Sequence, residues 1–530
     1  MLLLANTQFD VLFNHQSGEF TSALAARDAP RFWHSILLFF GLLVVAVPIY
    51  AYYNYVRDTL AINWRSWLTS RFLDRYFKDR SYYHLLSKSE IDNPDQRISD
   101  DIYSFTQQSL TFLLLFANGA LQLVAFSWVL WSISSYLVLF LVLYAAIATG
   151  ATFGIFGEKM VTLYANQRKK EADFRYSLVR ARENAEAIAL YRGEGQERGQ
   201  VQRLFGYLFA NGNALIRWSL RLNFFYYGNS FLTMVLPTLI IAPRVLSGEL
   251  EVGSIVQATG AFSAILSALT LVLDNLEALS RFAASVGRLE GLAHGLSIQS
   301  SDKPTITTQE ADHLAFENVT LQAPNDGRTL AKALSFSVFP GQGLMIVGSS
   351  GLGKSSLLRA IAGLWDTGEG SITRPKPEDM LFLPQHPYMV RGSLRMQLNY
   401  PSLDRSVTDD ELRESLKLVN LAGLEERCGG FDADFDFEKV LSVGERQRVA
   451  FARVLLRQPR YVLLDEATSA LDRDNESSLY GRLIATSSTV VSVSHHPALV
   501  RYHAQVLELK PEGQWTLHAA ADFRFSDENR

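Results

Sequence analysis

Residues 344–364 read LMIVGSSGLGKSSLLRAIAGL, and this stretch decides the fold of the C-terminal part of the chain. Leu344 to Val347 is a short apolar run of the kind a strand covered on both faces shows, and Ser356 to Leu364 carries helical spacing. Between them Gly348, Ser349, Ser350, Gly351, Leu352, Gly353, Lys354 and Ser355 spell G-x-x-x-x-G-K-S in strand–loop–helix context, with Ser356 opening the helix. Glycines let backbone N–H groups curl round a β-phosphate, and the helix start adds its positive dipole end. Lys354 is expected to reach the β- and γ-phosphates and Ser355 to bind Mg²⁺. A plain glycine-rich turn is the competing explanation.

Downstream residues argue against that alternative. Tyr461-Val462-Leu463-Leu464-Asp465-Glu466 reads as a buried strand ending in two acids. Asp465 is placed to hold Mg²⁺ through water, and Glu466 to polarise the attacking water, the base role that phosphoryl transfer needs. Leu441 to Arg448, LSVGERQR, precedes another helical pattern. Its Ser442, Gly444 and helix start make a second anion-binding surface, although the first site is already complete. Such a surface is best used on the nucleotide of another copy.

Together these residues resemble the nucleotide-binding domain of ABC transporters over residues 313–510. The loop at Gly348 is similar to Walker A, LLDE to Walker B and LSVGERQR to the signature motif. Gln385 in LPQHPY resembles the Q-loop, Ser469 to Asp472 the D-loop, and His495 in VSVSHH the switch histidine, with His496 the weaker candidate. The resemblance implies ATP and Mg²⁺ as cofactors, Glu466, His495 and Gln385 in catalysis, Gln385 also at the metal, and Asp472 at the nucleotide. Two departures stand out. Val443 occupies the place of a glycine, and its β-branch is expected to restrict the backbone there. Ala323 stands where an adenine-stacking aromatic is usual, with Phe316 as a poor substitute.

The remainder of the chain has a different character. At 530 residues it is long enough for two or three domains, and 48% hydrophobic residues fit a mixed membrane and soluble protein. The net charge of -4 and the lack of a basic tail give no reason to expect nucleic acid. Cys428 is the one cysteine, which excludes an intrachain disulfide. Five apolar stretches, Trp33–Tyr55, Leu110–Trp131, Tyr136–Phe156, Phe224–Val245 and Val252–Leu273, are each near the ~20 residues that cross hydrocarbon, rather than buried core helices.

Charge sets their direction. Arg57, Arg65, Arg71, Arg75, Lys78, Arg80, Lys88 and Arg97 lie in the connection 57–106, and 157–221 is also basic, whereas 132–136 and 246–251 carry no Lys or Arg. The long connections are therefore expected in the cytoplasm. Five spans ending inside require the N-terminus to start outside, yet MLLLANTQFDVLF looks like part of a helix. We therefore expect a sixth span before or across residue 1.

NPDQRISDDI (93–102) and ENAEAIALYRGE (183–194) are similar to two cytoplasmic motifs of the branch that contains peroxisomal fatty-acyl-CoA transporters and BacA-like uptake proteins. This resemblance implies an exporter-type α-helical transmembrane bundle with long cytoplasmic extensions over 1–295, a linker over 296–312 and an α/β P-loop ATPase domain over 313–530. It further implies a half-transporter that pairs with a second copy, in a bacterial-type inner membrane with the ATPase in the cytoplasm. The expected partners are membrane lipid and a transported small molecule. The cargo is expected to be an amphipathic acid such as a fatty acyl-CoA, or alternatively a bulky hydrophilic solute such as a corrinoid or peptide. An ATP-gated channel or a regulatory ATPase is the competing class, and the intact Lys354, Asp465, Glu466 and His495 argue against a dead cassette. Within the spans, Asn118, Gln122, Asn223, Tyr226, Tyr227 and Asn229 are candidates to line a pathway or to bond between helices.

Overall fold

The computed structural model describes residues 1–87, 91–298, 305–323, 327–365, 367–401 and 406–525, and the chain divides into two compact units, Met1–Ser301 and Asp302–Arg530. The expected linker 296–312 straddles that division, and 299–304 of it lie outside the described residues.

The first unit is helical. Its main helices are α1 (Leu2–Ala25), α2 (Ala29–Phe77), α3 (Ile102–Ile133), α4 (Ser135–Thr152), α5 (Glu158–Glu183), α6 (Glu194–Leu246), α7 (Gly253–Asp274) and α8 (Leu276–Ile298). Among the described residues, five stretches are long and apolar enough to cross a membrane: Ala29–Leu85, Pro94–Ile133, Ser135–Glu183, Glu194–Leu246 and Gly253–Leu271. Along α2, Leu37, Phe40, Val44 and Val47 recur at three- and four-residue spacing on the exposed surface, an outward apolar stripe suited to lipid rather than water. Phe126, Leu130, Leu137, Leu141, Ile241 and Phe262 form the core between α3, α4, α6 and α7.

Helix α1 is a sixth member of this bundle. It packs on α2, α3 and α7, and Asp28 caps the start of α2 by accepting from the Arg31 N–H. The α1–α2 turn lies at the same end as the 247–252 link, since Arg31 bonds Glu19 and Glu251 and the Gly253 N–H donates to Ser22 Oγ. The sixth span is expected before or across residue 1, whereas α1 begins at Leu2 and, with Asn6, Asp10, Asn14 and Glu19 along it, is not among the five stretches apolar enough to cross a membrane. Asn6 and Thr7 are buried, Tyr50 Oη donates to Asp10 Oδ1 at 2.6 Å, and Asn14 Nδ2 donates to Gln257 O at 3.1 Å.

The two motif segments sit at breaks in helices. Asn93 takes a left-handed φ of +43° ahead of Pro94, and a π-turn over Arg97–Asp101 leads into α3. There the buried Asp101 pairs with Arg288 of α8 in a bidentate bridge, Arg288 Nε donating to Oδ2 at 2.7 Å, and Arg97 Nη1 donates to Arg288 O at 2.9 Å. Leu85, Ile98, Ile102, Leu289, Leu292 and Leu296 form a small apolar cluster beside these pairs. The second segment is a short helix, Ala185–Tyr191, stopped by Arg192 in a left-handed conformation.

The second unit is α/β. Strands β1 (Thr307–Glu310), β2 (Leu314–Gln322), β3 (Thr329–Val338) and β5 (Gly368–Arg374) make a sheet in the order β1-β5-β2-β3. A second sheet is built from β4 (Leu344–Val347), β6 (Met380–Leu383), β7 (Tyr461–Asp465), β8 (Thr489–Val493), β9 (Gln505–Leu509) and β10 (Trp515–Ala519). Its order is β10-β9-β4-β8-β7-β6, parallel except for the β9–β10 pair. The central strands β4 and β8 are buried along their whole length, which is why they read as unbroken apolar runs. Helices α9 (Lys354–Ile361), α10 (Val443–Arg457) and α11 (Arg473–Ala485) follow the strands and loops that matter below. Cys428 is enclosed in the core that includes α10, where burial pushes its thiol pKa up.

Candidate active site

In an open parallel sheet, loops at the carboxyl ends of the strands form the natural binding crevice. Here β4 feeds Gly348 to Gly353, β7 feeds Glu466 to Asp472, and β8 feeds His495 and His496. Gly348 has φ +142° and sits against Leu509 O, which a Cβ would meet at 2.6 Å, so only glycine can start this loop. The chain then curls through Ser349, Ser350, Gly351 and Leu352 to Gly353 at the start of α9. Lys354 lies under the loop, its Nζ donating to Gly348 O at 2.7 Å and Ser349 O at 2.9 Å. Burial lowers its pKa, against the raising influence of Glu466 and Asp465. A desolvated ammonium ringed by backbone suits a phosphate oxygen.

Ser355 Oγ donates to Asp465 Oδ1 at 2.9 Å, and Ser356 follows on the same first turn of α9. Burial raises the Asp465 pKa, while the Ser355 hydroxyl opposes that shift. A hydroxyl and a carboxylate side by side in a partly desolvated place are the hard oxygen donors that Mg²⁺ takes, so this pair fits the metal. Glu466 is held in a left-handed conformation at φ +47°. Its carboxylate accepts from Gln385 Nε2 at 3.0 Å and meets His495 Nε2 at 3.2 Å. Three loops thus converge on one acid.

His496, next in sequence, faces elsewhere. Its Nδ1 lies 2.8 Å from buried Glu476, which also accepts from Thr468 Oγ1 at 2.6 Å. His495 is the one turned towards Glu466.

Ser442 caps α10, accepting from the Glu445 N–H at 3.3 Å, while Glu445 Oε2 accepts from the Ser442 N–H at 2.9 Å. Val443 is the first residue of the helix, so its β-branch imposes no strain, and its side chain is partly exposed. Gly444 packs under the loop after Glu466. The structure does not bring Ser442 to Lys354; the described bonds of its side chain run to Glu445. Asp472 caps α11, accepting from the Asn475 N–H at 2.8 Å, and that N–H is the main reason its pKa is lowered. Phe316 stacks on Phe336 at 4.7 Å in the core and is unavailable to a base. Ala323 is packed against the same core.

Sequence reasoning passed over Gln447, which is fully buried among the loops of the site. Nothing within LSVGERQR singles it out, since Glu445, Arg446 and Arg448 beside it are polar too.

The first unit contains a cavity of about 420 Å³ lined by Asn223, Tyr226, Asn229, Thr233, Ser263 and Ser267 among others, with no acidic or basic side chain among the described residues of its wall. Tyr144 Oη donates to Asn229 Oδ1 and fixes that amide. The cavity divides the candidates named from sequence. Asn118 accepts from Thr7 Oγ1 and Gln122 donates to Asp10, both bonds between helices, and Tyr227 is exposed away from the wall.

Comparison with known proteins gives matches along both units. The family profile described as ABC transporter transmembrane region 2 matches residues 1–246, and the profile described as ABC transporter matches residues 331–469. An uncharacterised ABC transporter ATP-binding protein of Synechocystis is 48% identical, over 94% of this chain and 77% of its own. The chloroplastic ABC transporter D family member 2 of Arabidopsis thaliana is 38% identical over 96% and 82%. A lysosomal cobalamin transporter of Mus musculus is 32% identical over 98% and 92%. In fold, the structure of a bacterial Atm1-family ABC exporter with ATP bound aligns with a TM-score of 0.77 at 19% identity, over 98% of this chain and 95% of that one.

Proposed function

Because the chain belongs to the ABC transporters that fuse a membrane domain to an ATPase domain, with D-family members among its relatives, we propose that two copies assemble into one transporter. The chain is a multi-pass membrane protein that couples ATP hydrolysis to transmembrane transport. The observation that carries the mechanism is Glu466, clasped by Gln385 and His495 beside Lys354 and Asp465.

Gly348 to Ser356 cradle the phosphates through backbone N–H groups, and Lys354 exchanges its two carbonyl partners for phosphate oxygens. Ser355, Asp465 and Gln385 would hold Mg²⁺, which when bound neutralises phosphate charge. Glu466 accepts the proton of the attacking water, and His495 keeps its carboxylate aimed. Ser442 and Gly444 of the second copy complete the site from the other side, with Asp472 at the seam. This reading puts the second unit in the cytoplasm, the first in the inner membrane against lipid, and the unit boundary near residues 296–312.

Kinship with D-family transporters supports an amphipathic acid such as a fatty acyl-CoA as cargo. The hydroxyls and amides of the cavity wall, uncharged among the described residues, favour the other reading, a bulky hydrophilic solute such as a corrinoid or peptide. The test is the purified protein in lipid nanodiscs, assayed for ATPase stimulation by acyl-CoAs, corrinoids and peptides. A monomeric protein without ATPase activity would refute the proposal, and stimulation confined to acyl-CoAs would refute the second cargo reading.

A further inference from the structure

Gln447 is 0% exposed and polar, so its amide needs partners inside the protein. It has them on two loops. Nε2 donates to Gln385 O at 3.1 Å and to Ser469 Oγ at 3.3 Å, and Oε1 accepts from the Ala470 N–H at 3.1 Å. Gln447 itself stands on the second turn of α10, behind Ser442 and Gly444. One side chain therefore joins the loop that carries Gln385, the loop that follows Glu466, and the helix that presents the signature residues.

Two neighbouring contacts make this junction stiff. A Cβ at Gly444 would come within 3.0 Å of Ala470 O, so the helix start lies directly against the second loop. Further along α10, buried Arg453 donates to Tyr388 O at 2.9 Å and to Gln397 O at 2.7 Å, fixing the segment after Gln385 at a second point. Movement of the Gln385 loop must then carry α10 with it.

We infer that Gln447 is the positioning residue that couples the two ATP sites of the transporter. The inference rests on the two-copy reading above. There, Gln385 and Glu466 act on the nucleotide of their own copy, while Ser442 and Asp472 act on that of the second. Gln447 touches Gln385 directly and, through Ser469 and Ala470, the loop that leads to Asp472, so occupancy of one site changes the presentation of residues to the other. Only an amide meets all three demands, because it donates twice and accepts once. A carboxylate at this place has no N–H for Gln385 O or Ser469 Oγ, and leucine offers none of the three groups a partner.

The experiment is the ATP dependence of hydrolysis by the full chain in nanodiscs, with thermal denaturation alongside. For the wild type we expect a Hill coefficient above 1. In Gln447→Glu, which conserves shape, we expect it to fall towards 1, with kcat lowered roughly tenfold and KM changed less, as losing one or two buried hydrogen bonds implies. Ser469→Ala removes one partner without touching α10 and is expected to move the coefficient the same way, which keeps the test open where Gln447 variants fold poorly. A purely structural role would lower the melting temperature and scale activity at an unchanged Hill coefficient, and that result overturns the inference. Hyperbolic kinetics in the wild type overturn it too, together with cooperation between copies, whereas a cooperative wild type with cooperative variants leaves the two-copy reading standing.

Discussion

His495 Nε2 lies 3.2 Å from Glu466 Oε1, across the gap between the ends of two adjacent parallel strands. The second oxygen of Glu466 accepts from Gln385. The acid is therefore aimed by its neighbours rather than by its own rotamer, and its left-handed backbone is held by an N–H bond to Val493 O at 3.1 Å. Replacing it by glutamine keeps the size and removes the base. Glu466→Gln is expected to bind ATP while hydrolysis falls by roughly 10³-fold, the scale of a lost general base. Phosphate release and retained nucleotide on the purified variant measure both, and near wild-type turnover would sink the assignment.

His495→Ala removes one of the two clasps and leaves the carboxylate in place. We expect kcat to fall about tenfold, as for one charge-assisted hydrogen bond, with little change in KM for ATP. His495→Gln, which keeps a donor, should recover part of the loss. An unchanged kcat in His495→Ala would show that the contact is idle.

Lys354 has a pKa lowered by burial, so without nucleotide its charge is lost at a lower pH than for an ordinary lysine. ATP affinity is accordingly expected to weaken as pH rises through the alkaline range, because only the ammonium attracts phosphate. Lys354→Ala should abolish this dependence along with most of the binding. Titration with a fluorescent ATP analogue at several pH values distinguishes these outcomes from a flat profile.

His503 is buried, with Nδ1 donating to Leu499 O and Nε2 accepting from Ser492 Oγ, and burial holds its pKa down at about 4. The unfolded histidine takes up its proton near pH 6.5, whereas the folded one does so only near 4. Stability present at neutral pH is thus lost as pH falls between these values, by about 3 kcal/mol in all. Thermal denaturation of the full protein should show this slope, and His503→Asn should flatten it.

In the first unit, Arg288→Ala leaves Asp101 buried without its cation. We expect a loss of about 1–2 kcal/mol, below the scale for a fully buried pair because the Arg288 side chain is itself half-exposed. Arg288→Ala with Asp101→Asn should be closer to wild type than the single change. Melting curves in detergent test this, and additive effects would mean that the two residues act independently.

Much of the ATPase was legible in the sequence because its chemistry is local. Phosphate loops and acid-tipped strands are short motifs fixed by backbone geometry, and their spacing survives without knowledge of the fold. Helix α1 was half legible. MLLLANTQFDVLF read as part of a helix, but a place for that helix in the bundle was not legible, since the bonds of Thr7 and Asp10 run to Asn118, Tyr50 and Gln122 on other helices. His495 and His496 could not be separated by sequence, because which ring faces Glu466 depends on the turn after β8. Gln447 escaped for the same reason: its value lies in where it sits among Gln385, Ser469 and Ala470, and no pattern within α10 announces that.

The enclosure of Cys428 has a practical consequence. As the chain's one thiol, buried and with its ionisation disfavoured, it should react only slowly with maleimide or nitroxide reagents under native conditions. The wild-type protein can therefore serve as its own low-reactivity background, and a cysteine introduced at Val443 or Asn229 would report spectroscopic distances between two copies without prior removal of native thiols.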